Sequence, residues 1–165
     1  DRFSEGYLQS CTLGLQTGVI PEILVQITGK NREFVTRTFL AVTLAYDLPF
    51  VMNGGGLTGE WSNVWRKLYQ WGYSTPEVKV TPCWDSAALK SDRSDWRITT
   101  YRKGKEVVAA VSNFGDTAEG TLDLSGIQAV RAVDWESGKE LPENRGSLSL
   151  KLQKHDFKLI HIATK

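Results

Sequence analysis

The turn Ser74-Thr75-Pro76 separates two sequence styles: ahead of it apolar residues recur at helical spacing among Trp and Gly, and after it they alternate in short runs. A single change of period predicts an α+β chain in which helices and strands occupy different stretches. From Val78 on, Trp96–Tyr101, the turn around Lys103-Gly104, Val107–Asn113, Thr121–Leu124, Ala129–Trp135, Leu148–Leu152 and Phe157–Ile162 predict about seven short antiparallel strands, a compact sandwich. The first half has no such closed plan. Its apolar stripes need neighbours to cover them, so the chain reads as a piece of something larger, with residues 1–75 the terminal strand and helix repeats of an α/β layer and residues 76–165 the sandwich.

Within the first half, Phe3–Leu15 mixes glycine and polar residues and predicts a strand end followed by a loop. Pro21 suits the first position of a helical turn through Ile23–Val25. Asn31 is a fair N-cap for a helix carrying Val35, Phe39, Val42 and Tyr46, with Leu40 and Leu44 beside them. Asp47–Met52 predicts a short buried strand entering Asn53-Gly54-Gly55-Gly56. A second helix starts near Thr58, carries Trp61, Trp65, Leu68 and Tyr69 on one face, and ends at Gly72. Helix, short apolar strand, Gly-rich loop and helix is the order expected of the closing repeats of a parallel α/β barrel.

Charge argues against nucleic acid: 20 Lys and Arg face 19 Asp and Glu, and neither half is basic, so there is no stripe to neutralise phosphates. No run approaches the roughly 20 apolar residues of a membrane-spanning helix. Cys11 and Cys83 lie on opposite sides of the style change and read as buried thiols, with a disulfide joining the halves as the alternative. His155 and His161 lack a partner pair at ligand spacing, so no metal is expected. Ser112 lacks a G-x-S-x-G frame, and Gly54–Gly56 lacks the Lys-Ser/Thr of a phosphate loop.

A family likeness rests on particular segments. Val80-Thr81-Pro82-Cys83-Trp84-Asp85, Trp96–Lys105, Val108–Asn113, Ala132–Leu141, Leu148-Ser149-Leu150 and His155–Ile160 together resemble the carboxy-terminal region of large bacterial glycoside hydrolases, in which a TIM-barrel catalytic domain is followed by an antiparallel β-sandwich. Phe34–Ala41 and Leu48-Pro49-Phe50 look like the last barrel repeats of the same enzymes. The resemblance implies a fragment inactive alone, with the rest of the parent enzyme as its partner, a glycan as ligand, no cofactor, and a periplasmic or extracellular setting. Asp1-Arg2-Phe3 lacks the apolar core of a signal peptide, which in a chain beginning mid-protein says nothing about export. Most glycosidases need two carboxyl groups about 5–10 Å apart. No such pair is identifiable here, which leaves the catalytic residues unassigned.

Each candidate residue also has a plainer role. Glu5 is the candidate acid if Ser4-Glu5-Gly6 ends a barrel strand, and a solvated loop residue otherwise. Asn53 follows a strand, where its amide can bind a sugar hydroxyl while the glycines allow close approach. Asp47 sits at a helix-to-strand junction and is structural; Glu60 favours the start of its helix. Of the six tryptophans, Trp61, Trp65 and Trp96 are in phase with core residues, whereas Trp84 and Trp135 stand nearer loops and are the candidate sugar platforms. The alternative to a hydrolase fragment is a stand-alone module that binds carbohydrate or protein without catalysis.

Overall fold

The computed structural model describes residues 4–12, 23–25, 30–48, 50–52 and 59–165. In chain order these form α1 (Glu5–Thr12), β1 (Ile23–Val25), α2 (Arg32–Tyr46), β2 (Phe50–Met52), α3 (Gly59–Trp71), β3 (Lys79–Thr81), β4 (Lys90–Ser91), β5 (Trp96–Lys103), β6 (Glu106–Asn113), β7 (Ala118–Asp123), β8 (Ala129–Asp134), β9 (Glu140–Leu141), β10 (Glu143–Asn144), β11 (Ser147–Leu152) and β12 (Phe157–Thr164). The fold is α+β with a β-sandwich, as the change of period predicts. A six-stranded sheet, β3-β5-β6-β12-β8-β9, faces a four-stranded one, β10-β11-β7-β4.

Side-chain alternation sorts the six-stranded sheet into two faces. Trp96, Ile98, Val107, Ala109, Val111, Ile160 and Ile162 turn inward to meet Leu122, Leu124, Leu148, Leu150 and Leu152. Tyr101, Val108, Ala110, Phe157 and Leu159 turn outward to meet Leu40, Ala41, Leu44, Val64, Trp65 and Leu68 of α2 and α3. Both faces of β6 are therefore covered. That is why Val107–Val111 is an unbroken apolar run, where a strand with one wet face would alternate. Hairpin β5–β6 pairs Lys103 with Glu106 across a tight turn whose Gly104 has φ 57°, a conformation that favours glycine. On β7, a Cβ on Gly120 would lie 2.9 Å from the Trp96 ring, so glycine makes room for that indole.

Two local expectations are corrected. Residues 5–12 are helical, because the Ser4 hydroxyl accepts the Tyr7 N–H and caps the first turn, while Leu8 is buried against Tyr46 and Leu48. Ile23–Val25 is a strand pairing in parallel with Phe50–Met52, a partner that lies beyond any local window. The two-residue strands β4, β9 and β10 are edge additions too short for periodicity to reveal. Asn31 does occupy the N-cap of α2, but its side chain makes no capping bond.

Helix α2 turns Leu40 and Leu44, which its spacing puts beside the expected stripe, to the sheet, and of the stripe itself Tyr46 is buried, against Leu8 and Leu48. Thr36, Leu40, Ala41, Thr43 and Leu44 are buried, whereas Val35, Phe39 and Val42 are half-buried on its flank. Two turned ends set the helix layer. Leu48 N–H reaches Thr43 O beyond Asp47, whose φ is 49°, and Tyr73 N–H reaches Leu68 O beyond Gly72.

Candidate functional site

Of the four candidates, Glu5 and Trp84 both contact Tyr46, Trp135 lies elsewhere, and Asn53 falls outside the described residues. Glu5 sits in the first turn of α1, not at a strand end. Its Oε1 accepts Arg97 Nε at 2.8 Å and Tyr46 Oη at 3.2 Å. The Arg97 hydrogen bond holds the Glu5 carboxyl below the usual glutamate range, against a smaller opposing effect of burial. That suits an ion-pair partner; a general acid needs its pKa pushed the other way. Burial, with the Glu5 charge adding to it, pushes Tyr46 up to about 12, so it stays a donor. The Tyr46 ring stacks on Trp84 with centroids 5.8 Å apart, and Phe114 meets it edge-on. Trp84 is thus half-buried as part of a three-ring contact.

Cys83 adjoins this cluster, with its N–H donating to Thr99 Oγ1. Burial raises its thiol pKa, which makes it a poor nucleophile. Cys83 is a free thiol, and the side chain of Cys11 lies outside the described residues.

Trp135 follows β8 and packs against the cluster that α2 and α3 form on the outer face of the sheet. Its N–H donates to Leu159 O at 2.8 Å, and its carbonyl accepts Lys67 Nζ of α3. The ring is stacked on His161, centroids 5.6 Å apart and planes 16° from parallel, and it meets Trp71 edge-on at 6.3 Å. Glu106 accepts the Trp71 indole N–H at 2.7 Å and approaches His161 Nε2 to 3.8 Å, too far for a hydrogen bond. Beside Trp135 a groove of about 340 Å³ opens between it and α3.

Two polar assemblies that the sequence does not announce join the helices to the sheet. Arg37 of α2 gives a two-pronged bond to Glu136 at 3.1 and 3.2 Å, a second ion pair to Asp156, and a bond to Phe157 O, with its guanidinium over the Phe157 ring. Burial opposes its charge, yet the Glu136 bond and the two carboxylates outweigh that and raise its pKa. Asp47 accepts Tyr73 Oη at 2.8 Å and Tyr101 Oη at 3.1 Å. Burial pushes its carboxyl upward against those two bonds. Asp47 is therefore structural, as its junction position implies. Only the residue types carry such signals in advance: an Arg and an Asp inside otherwise apolar helical stretches.

Among the described residues, no group of three His, Cys, Asp or Glu is placed to hold a metal ion, and no helix is long and apolar enough to cross a membrane. No family model and no curated protein matches the sequence. Solved structures do match the fold. A GH30 endoxylanase from Clostridium papyrosolvens aligns with TM-score 0.56 at 11% identity, covering 86% of this chain and 41% of its own. A GH27 β-L-arabinopyranosidase from Geobacillus stearothermophilus aligns with TM-score 0.56 at 13% identity, over 85% of this chain and 32% of that one. The α-galactosidase I of Mortierella vinacea gives 0.56 at 14%, over 86% and 40%. These neighbours are glycoside hydrolases, and the chain spans well under half of each. At such identities the likeness concerns the fold.

Proposed function

We propose that this chain is the carboxy-terminal part of a glycoside hydrolase, in which residues 1–75 are the closing repeats of an α/β barrel and residues 76–165 an accessory sandwich sealing the barrel's flank. The observation that carries this reading is the unit β1-α2-β2 followed by α3. Its two parallel strands form a sheet far too small to stand alone, and the helices beside it lie across the sandwich. The partial coverage of hydrolase neighbours by nearly the whole chain supports the same reading. The barrel's remaining repeats and the catalytic pair would then belong to the parent enzyme, with Asn53 at the end of its strand a candidate for the sugar-facing rim.

The stand-alone binding module receives less support from the sandwich itself. The outward residues of its four-stranded sheet, Glu119, Thr121 and Asp123 on β7 and Ser147, Ser149 and Lys151 on β11, include no aromatic platform. The deciding experiment assays a panel of aryl glycosides and oligosaccharides with this chain and with the same chain joined to its natural upstream polypeptide. Turnover is expected only from the extended protein. Hydrolysis by the chain alone that disappears in Glu5→Gln overturns the proposal.

A further inference from the structure

We infer that the groove between α3 and Trp135 is a saccharide-binding site that holds the end of a pyranose oligosaccharide, with a carboxylate-bearing sugar preferred. The groove measures about 340 Å³, at the lower end of the roughly 300–1,000 Å³ range of small-molecule pockets. Its floor is apolar, Val64 and Leu159, and Trp135, which carries an indole, lines one side. That indole is fixed before any ligand arrives: His161 backs it by stacking, Trp71 braces its edge, and both main-chain polar groups of Trp135 are bonded. A braced ring loses little side-chain freedom on binding, which is what a stacking platform for a sugar's C–H face requires.

The opposite wall is a stripe of α3. Asn63, Arg66 and Gln70 recur at helical spacing and are exposed, and their side chains line the groove without a hydrogen bond to any described residue. Two amides and a guanidinium are planar groups that can meet neighbouring hydroxyls in pairs. Both carboxylate oxygens of Glu136 are held by Arg37, so the groove offers no free acid and is built for binding. Arg66, unlike Arg37, has no carboxylate partner among the described residues, and Lys67 beside it donates to the Trp135 carbonyl. The local surplus of positive charge favours a uronate over a neutral ring.

The inference does not need the hydrolase reading. It is tested by titrating the isotopically labelled full chain with xylotetraose, maltotetraose and tetragalacturonate while following the indole N–H signal of Trp135. A saturable shift is expected, strongest with tetragalacturonate. Asn63→Ala combined with Gln70→Ala, both at exposed helix positions that leave the fold intact, should weaken binding roughly 5-fold or more. Arg66→Gln should remove the advantage of tetragalacturonate and leave the neutral probes little changed. No saturable shift with any probe, or binding indifferent to Asn63→Ala and Gln70→Ala, overturns the site. Equal affinity for acidic and neutral probes overturns the preference. Neither result touches the hydrolase proposal, which is read by turnover of the extended protein.

Discussion

The two faces of the six-stranded sheet are both buried, yet they are buried differently. The inner face meets aliphatic side chains almost exclusively, with Trp96 the one large ring. The outer face meets α2 and α3 through Tyr101, Phe157, Trp65 and the half-buried Trp71, Tyr73 and Trp135, and it is crossed by hydrogen bonds from Arg37, Thr99, Tyr101, Lys103 and Lys67. An aliphatic core needs only volume and pattern to form. An aromatic, hydrogen-bonded face also fixes where each helix sits, because a buried polar group gains most where its own partner lies, even though Ser112 Oγ and His161 Nε2 find none among the described residues. The difference teaches that the inner face makes the sandwich and the outer face specifies what lies on it.

Truncation on each face puts this to its severest test. Ile160 on the central strand β12 is fully buried between the sheets, and Ile160→Ala should destabilise the whole sandwich by about 3 kcal/mol. Leu44 on α2 is equally buried, and Leu44→Ala removes a comparable volume. Hydrogen exchange should show the second change loosening α2 and α3 while the amides of β6 and β12 keep their protection. If Leu44→Ala exposes β6 as fully as Ile160→Ala does, the two faces form one cooperative core and the contrast fails.

Arg37 is the strongest polar tie across the outer face. Arg37→Met keeps most of the stem but leaves Glu136 and Asp156 without their cation, at a cost of about 2 kcal/mol, below the loss from a fully buried pair because these side chains keep some water contact. The effect should appear as faster proteolysis within α2 and a lower urea midpoint for the helix layer. A change below about 0.5 kcal/mol would mean that the ion pairs are worth no more than surface ones.

How far the sequence foretold this arrangement follows from the range of each force. The sandwich was legible because period two, tight turns such as Gly104 and the doubly covered run Val107–Val111 are local signatures. Helix α3 and its end at Gly72 were legible for the same reason. The α1 helix was hidden because its stability comes from a single serine cap and from Leu8 packing on Tyr46, neither of which shows in a short polar window. β1 was hidden because its partner β2 lies across a whole helix. Trp96 and Trp65 could be placed in the core by phase with their neighbours. The polar groups of α3 that face Trp135 could not, since a stripe of Asn, Arg and Gln reads as any solvated helix face until the opposite wall of the groove is known.

Thr99 offers a smaller and sharper probe. Its hydroxyl donates to Ala45 O at 2.6 Å and accepts the Cys83 N–H, so one buried side chain satisfies a carbonyl at the open end of α2 and an amide just beyond β3. Thr99→Val preserves shape and leaves both groups unpaired, a loss of about 1–2 kcal/mol expected in thermal unfolding. Thr99→Ser should recover most of the hydrogen bonding. If valine and serine behave alike, packing alone locates α2.

Asp47 sets the finest test, because there the outer face carries a charge it does not favour. Burial lifts the carboxyl above the ordinary aspartate value, outweighing the Tyr73 and Tyr101 hydrogen bonds, and the residue ends α2, where the helix dipole also disfavours an anion. A group whose folded pKa is raised contributes stability in its protonated form. That contribution is complete below the unfolded value, near 3.9, and is lost as pH rises through the folded one. Asp47→Asn removes the charge, keeps an acceptor for both tyrosines, and tolerates the left-handed backbone that the position adopts. The variant should gain on the native chain as pH climbs from 4 toward 7, by under about 1 kcal/mol at the upper end, the scale of a helix-terminus charge effect. Measured as the difference between the two urea stabilities at each pH, the gap should widen in that direction only. A native chain that becomes the more stable of the pair at neutral pH would show that the tyrosine bonds to an ionised carboxylate outweigh its burial, and that this corner of the outer face is held by charge.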